Sequence, residues 1–309
     1  MISAACRALL ADSQRFSAKF GGGMFNHLPM ALLALDRLGA DEARLREFAA
    51  MYSRKLRPKT DRERSVENDF SRDLRERGRD ALLGEAVPRL AEGTGSEAFH
   101  GLIRLAYAVD SGDDVDVPDA LAAWTIGFAA VPAVSEVEPF ATFAEAFAAI
   151  AADESLPRSF EGRSISGRIA RVVALPAFRT YRGGVAQIDL REMAMISAQV
   201  FASTADFTAL HMVTGCHAMR VLRPFLPPPA FSNFATAVLA AYVTIGRPPI
   251  AELPTRALPD EATLAARTVA SDDDHDLKLV YSCLREEAEY GSQLHRLAAA
   301  VRLGLIQGS

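Results

Sequence analysis

A chain of 309 residues, half of them apolar and 24% charged, can bury a sizeable core and has the composition of an ordinary globular protein, not of a disordered or fibrous one. Its 34 basic residues are outnumbered by 39 acidic ones, and a net charge of −5 with no long basic run argues against nucleic acid as a partner. Three cysteines, Cys6, Cys216 and Cys283, are odd in number and lack paired spacing, which argues against a disulfide framework and makes a reducing, cytoplasmic setting the expectation.

The segment Met1 to Arg7 has no basic stretch followed by a long apolar run, so no signal peptide is read. The most continuous apolar stretch, Ala120 to Val134, is too short to span a bilayer and reads as a buried helix, so no membrane partner is expected. Alanine is abundant and strand-type alternation of Val, Ile, Thr and Tyr is nearly absent. The expected class is all-α: a multi-helical bundle, with residues 1–309 forming one domain.

In chain order, an amphipathic segment from Ile2 to Phe20 should run to a break at Gly21-Gly22-Gly23. The next helix has Asn26 as its N-cap, Pro29 in its first turn and Gly39 at its end, which places His27 at a helix start. A helix from Asp41 to Leu56 follows. The charge-rich, apolar-poor stretch from Arg57 to Gly78 reads as a solvated loop or a cover over another part of the fold, with helix resuming from Arg79 to Leu90. Ser96 is a candidate cap for a helix carrying His100 beside the stripe Phe99, Ile103, Ala106 and Tyr107, with Gly101 leaving room for close approach.

Further helices are expected at Ala120 to Val131, Thr142 to Ala152, Leu190 to Ser203 and Ser232 to Ile245, with short helices and turns between Ser155 and Gly184. Asp206 caps a helix that carries His211, Gly215, Ala218 and Leu222 on one face and is stopped by Pro224, while His217 faces elsewhere. Pro227-Pro228-Pro229 reads as a rigid turn and Gly246 to Pro259 as a connector. A short helix from Glu261 to Val269 precedes the run Ser271-Asp272-Asp273-Asp274-His275-Asp276-Leu277-Lys278. Any of the three aspartates can cap the last helix, read from His275 to Leu303, and suits its positive dipole end.

Positions three apart share one helix face, so a pocket that sees His275 also sees Lys278. The bland alternative is an exposed His275 and a Lys278 that snorkels to solvent. Of six histidines, His27, His100, His211 and His275 lie in or at the start of apolar helices, and a shared divalent metal would satisfy four buried imidazoles at once. Packed core histidines are the alternative, and spacing alone decides nothing: HExxH and CxxC are absent. So are GxGxxG after a strand, the P-loop and GxSxG, which leaves no bound-cofactor or nucleophile motif. Cys216 beside His217 is a poor thiol nucleophile pair, since neighbours on a helix diverge by roughly 100°.

The phrases Asn26-His27-Leu28-Pro29-Met30, Phe99-His100-Gly101-Leu102-Ile103-Arg104-Leu105-Ala106-Tyr107, Leu210-His211-Met212-Val213-Thr214-Gly215 and Asp274-His275-Asp276-Leu277-Lys278-Leu279 occur in that order. In this the chain resembles the questin oxidase-like family. The resemblance implies an all-helical oxidoreductase of the kind that opens anthraquinone-type rings with O2 in fungal aromatic polyketide metabolism. It also implies either a Baeyer–Villiger oxidation with NADPH as co-substrate, or a mononuclear non-haem iron held by histidines and a carboxylated lysine. On this sequence the ligands would be His27, His100, His211 and His275, with Lys278 as the carbamate. Fe(II) is the expected metal, and the mixed donor set also suits Zn(II) or Mn(II).

The expected partners are a small aromatic phenol or quinone and O2. Phe99, Tyr107, Trp124, Phe143 and Phe147 are candidate pocket walls, and Arg104 or Arg220 candidates to orient a phenolate. The chain is shorter than the fungal members and need not share their substrate. Two rivals stand beside this reading, a helical metal-dependent hydrolase and a non-catalytic protein with packed histidines.

Overall fold

In a computed structural model, residues 1–134, 136–162, 164–249 and 257–306 are described, and they are helical almost throughout. Helix α1 spans Ala4–Ser13, α2 Leu28–Arg37, α3 Glu42–Ser53, α4 Asp61–Arg77, α5 Arg79–Arg89, α6 His100–Asp110 and α7 Val117–Ile126. There follow α8 Phe143–Ala152, α9 Ile165–Val173, α10 Leu190–Thr204, α11 Phe207–Leu222, α12 Pro228–Thr244, α13 Glu261–Val269, α14 Asp274–Tyr290 and α15 Gln293–Arg302. The protein is all-α, and no described helix is long and apolar enough to cross a membrane.

Three helices are buried around their whole circumference over most of their length, as a helix surrounded by others must be. Every residue of α11 from Thr208 to Met219 is buried, and so are α6 from His100 to Ala108 and α12 from Asn233 to Thr244. Around them α2, α6, α11 and α14 close a cycle: α2 packs on α6, α6 on α11, α11 on α14 and α14 back on α2. Small residues set the close approaches. A Cβ on Gly101 would lie 2.4 Å from the Trp124 indole, so the glycine admits α7 against α6 and not a ligand.

Several boundaries differ from the sequence expectation, each for a local reason. Helix α1 stops at Ser13, and residues 19–20 pair with 24–25 in a two-stranded hairpin across Gly21-Gly22-Gly23, all three with positive φ. Residues 57–78 are not a loop, since α4 fills 61–77. The Thr60 hydroxyl and the Glu63 carboxylate form a reciprocal capping box, and neither residue contributes an apolar periodicity.

The long final helix is two, broken at Gly291 (φ 65°) and restarted by the Ser292 cap. Pro228 and Pro229 occupy the first turn of α12, where missing N–H groups cost nothing. The proline-rich connector is described only at 246–249 and 257–259; residues 250–256 lie outside the described residues.

A buried ionic network ties α4, α6 and α7 together. Arg104 pairs with Asp116 through a short contact and with Asp119 at 2.8 Å, and Lys59 reaches Asp119 at 2.6 Å. A second joins α11 to α14, where Glu286 accepts from His217 at 2.8 Å and Arg220 at 2.7 Å. Both arginines suggested by the sequence as phenolate binders are therefore committed to structural ion pairs.

Candidate metal centre

Each helix of the cycle delivers one histidine at or near its N-terminal end: His27 immediately before α2, His100 and His275 in the first turns of α6 and α14, and His211 one turn into α11. The rings meet. Centroids of His27 and His100 are 4.8 Å apart and stacked, His27 and His275 4.8 Å, His100 and His211 4.8 Å, and His211 and His275 5.7 Å. The four imidazoles named from the sequence thus form one cluster, with Lys278 one turn further along α14. Burial and the combined charges of Asp274, Asp273 and Arg302 leave the Lys278 amine lowered to about 8.

Every ring has an acceptor on its Nδ1. His27 Nδ1 lies 2.9 Å from Asp274 Oδ2, His275 Nδ1 2.8 Å from Asp274 Oδ1, and His211 Nδ1 2.8 Å from the Phe207 carbonyl. His100 Nδ1 makes a short contact to the Glu97 carbonyl. A neutral imidazole facing a carbonyl or carboxylate carries its proton on that nitrogen, which leaves Nε2 as a lone-pair donor. His27, His100 and His211 are held neutral, His27 down to about 3, by burial first and the nearby Lys278 and histidine charges next. The Nε2 atoms of these three are buried with no hydrogen-bond partner.

Buried polar atoms are nearly always satisfied, so three orphaned lone pairs in one cluster need a reason. Imidazoles whose Nδ1–H is fixed by a carbonyl or carboxylate and whose Nε2 is free have the arrangement of metal-ligating histidines. The donor set fits a divalent transition metal. His27, Asp274 and His275 also place potential ligand atoms within 4.8 Å of one another. Asp274 Oδ2 meets His27 Nδ1 and also accepts from the Tyr52 hydroxyl at 2.7 Å, while Oδ1 meets His275 Nδ1, so this carboxylate orients two of the rings. Burial would raise the Asp274 carboxyl, but the hydrogen bonds from His27 and His275 outweigh it and hold it well below the usual range.

The supporting backbone is unusual. Glu97, Ala98 and Phe99 have φ of 51°, 56° and 69°, three successive non-glycine residues in the left-handed region. Each costs about 1–2 kcal/mol. That turn aims the Glu97 carbonyl at His100, a case of strain held where a functional group must be placed. It also displaces Ser96 from the cap expected of it: its hydroxyl bonds the backbone of Ala129 instead.

Asp273, not its neighbours, caps α14 by accepting from the His275 N–H at 2.8 Å. Arg302 neutralises Asp273 at 2.6 Å and Arg44 neutralises Asp272 at 2.8 Å, which lets an acidic run lie beside the cluster.

The aromatic residues at the histidines are not those expected. Phe99 packs on Phe234, Phe143 on Phe147, the Trp124 N–H donates to the Gly93 carbonyl and the Tyr107 hydroxyl to the Lys278 carbonyl, so all five proposed wall residues are core. Phe25, carried by the hairpin, stacks on His100 at 4.8 Å, and Phe207 lies 4.6 Å from His275 and 4.9 Å from His211 while remaining 48% exposed. Burial pushes the Cys216 thiol up to about 12, which removes it as a nucleophile.

Comparison with curated proteins gave no match. The sequence profile described as Questin oxidase-like matches residues 66–283, a span that holds His100, His211, His275 and Lys278 but not His27. A match over more than half of its length, together with an all-helical fold, means that this chain belongs to the questin oxidase-like family.

Proposed function

We propose that this protein is a metal-dependent oxygenase, with iron held by His27, His100, His211 and His275, acting with O2 on a flat phenol or quinone. Family membership supports an oxidoreductase of aromatic metabolism. The observation that carries the metal is the set of three buried, unpartnered Nε2 atoms whose Nδ1 partners are all fixed. Ferrous iron bound there would supply a one-electron route between O2 and an organic substrate, a reaction that spin conservation makes slow without a metal.

The remaining roles fall to residues of the chain. Phe207, 48% exposed beside His211 and His275, offers an aromatic surface on which a flat substrate can pack, while Phe25 is buried against His100. Helix N-termini carry partial positive charge, so the converging ends of α2, α6, α11 and α14 favour a phenolate over its phenol. At pH 7 roughly one in ten Lys278 side chains is the free amine, given its lowered value of about 8.

That amine can take the phenolic proton at Nζ, or add to CO2 so that a C–N bond forms, one proton leaves and an anionic carbamate oxygen remains as an additional hard donor. NADPH, if required, would act as a diffusible reductant.

The test is anaerobic reconstitution with Fe(II), elemental analysis, and O2 uptake in the presence of a hydroxylated anthraquinone or a hydroquinone. One iron per chain and substrate-dependent O2 uptake are expected. Stoichiometric metal without any O2 uptake across such substrates would reject the oxygenase reading.

A further inference from the structure

At the far end of the same helices lies a second concave site. It is a cavity of about 460 Å³ lined by Leu226, Phe231 and Tyr290 together with Asp189, Arg191 and Arg223. Its size is that of a small-molecule pocket and too small for a protein segment of any length. From His211 to Arg223 along α11 and its exit, and from His275 to Tyr290 along α14, the separation is about 20 Å at 1.5 Å per residue, so this cavity is not a part of the histidine cluster.

Its two guanidiniums and its phenol are uncommitted. Among the described residues neither the Arg191 nor the Arg223 guanidinium has a hydrogen-bond or ion-pair partner, and neither does the Tyr290 hydroxyl. Asp189, the acidic member, is outnumbered by the two arginines, and its Oδ1 caps α10 by accepting from Arg191 N–H at 2.8 Å and Glu192 N–H at 3.3 Å. Most arginines of this chain are paired, so two free guanidiniums flanking one cavity with a half-buried Phe231 and Tyr290 are a specific juxtaposition. Planar guanidinium forks match a carboxylate and the two rings match an aromatic body.

We infer that this groove between the start of α10, the start of α12 and the end of α14 binds a small aromatic carboxylate. The site is independent of the metal centre.

Calorimetric titration with 2-naphthoate, compared with the uncharged isostere 2-naphthamide, tests the inference. One naphthoate should bind per chain, at least tenfold more tightly than the amide. Arg191→Ala/Arg223→Ala should weaken naphthoate at least tenfold, whereas His211→Leu should leave it within twofold. Phe231→Trp places a local reporter whose fluorescence should be quenched on binding.

Because both arginines are exposed, circular dichroism melting should show the double variant folded. If it is not, the single variants Arg191→Gln and Arg223→Gln carry the comparison. Absent naphthoate binding, equal binding of acid and amide, or binding undiminished by loss of the arginines but abolished by His211→Leu would overturn the assignment.

Discussion

His27 and Asp274 are separated by 247 positions in the chain, yet Nδ1 of one lies 2.9 Å from Oδ2 of the other. The same carboxylate holds His275 Nδ1 through Oδ1 and the Tyr52 hydroxyl through Oδ2, so one buried acid fixes two imidazole tautomers and joins α2, α3 and α14. Replacing it with the isosteric Asp274→Asn removes the anion and turns an amide N–H₂ toward one ring N–H. Loss of such an orienting partner typically costs 10–100-fold in metal affinity, and about that loss of Fe(II) affinity is expected in anaerobic titration. Tyr52→Phe should cost less, since both imidazole contacts survive. Equal affinity of wild type and Asp274→Asn would show that the carboxylate does not orient the ligands.

The orphaned Nε2 atoms give a prediction about heat stability. A ligand that binds only the folded chain stabilises it by about 2.7 kcal/mol at a hundredfold excess over its dissociation constant. Fe(II) should therefore raise the melting temperature of the wild type by several degrees. His211→Leu, which keeps an apolar side chain of comparable bulk among buried neighbours, should fold and show no such rise. A metal-induced shift of undiminished size in His211→Leu would exclude His211 from the ligand set.

Lys278 is 1% exposed, and burying an ammonium opposes folding. Lys278→Met should leave the metal-free protein as stable as wild type or more so, while O2 uptake falls at least a hundredfold. ¹³C-bicarbonate should give a carbamate carbon signal in wild type that is missing from Lys278→Met. Wild-type activity in that variant would show the lysine to be dispensable.

The Arg104 network sits apart from the chemistry and answers to stability alone. Arg104→Met would leave Asp116 and Asp119 buried beside each other without their shared cation. Breaking a buried pair from one side costs about 3–5 kcal/mol, and chemical denaturation should show a loss in that range. A loss under about 1 kcal/mol would mean that water or Lys59 takes over the charge.

Glu286 provides the pH test. Burial raises this carboxyl, but hydrogen bonds and charge from His217 and Arg220 outweigh it and hold it below its ordinary value. A group depressed on folding contributes stability above its unfolded pKa, about 4.3, and loses it as pH falls toward the folded value. The stability difference between wild type and Glu286→Gln should thus be full near pH 6 or above and shrink below about pH 4.3. A difference that is flat with pH would assign Glu286 a packing role only.

The sequence by itself determined the helices and put the histidines at their starts, because capping and apolar spacing are local: Asp206 before α11, Thr142 before α8, Pro29 in the first turn of α2. Where it misread the chain, after α1, at α4 and at the joint between α14 and α15, the deciding features were a hairpin turn of positive-φ glycines, a capping box in a charged stretch and one left-handed glycine, all quieter than hydrophobic period.

Only the tertiary structure decided that Asp274 and not its neighbours faces His27 across 247 positions, and that Phe25 lies against His100 and Phe207 against His275 while the expected aromatic wall lies in the core. Those are contacts across tens to hundreds of positions, set by how α2, α6, α11 and α14 close on one another. No periodicity within a single helix encodes them.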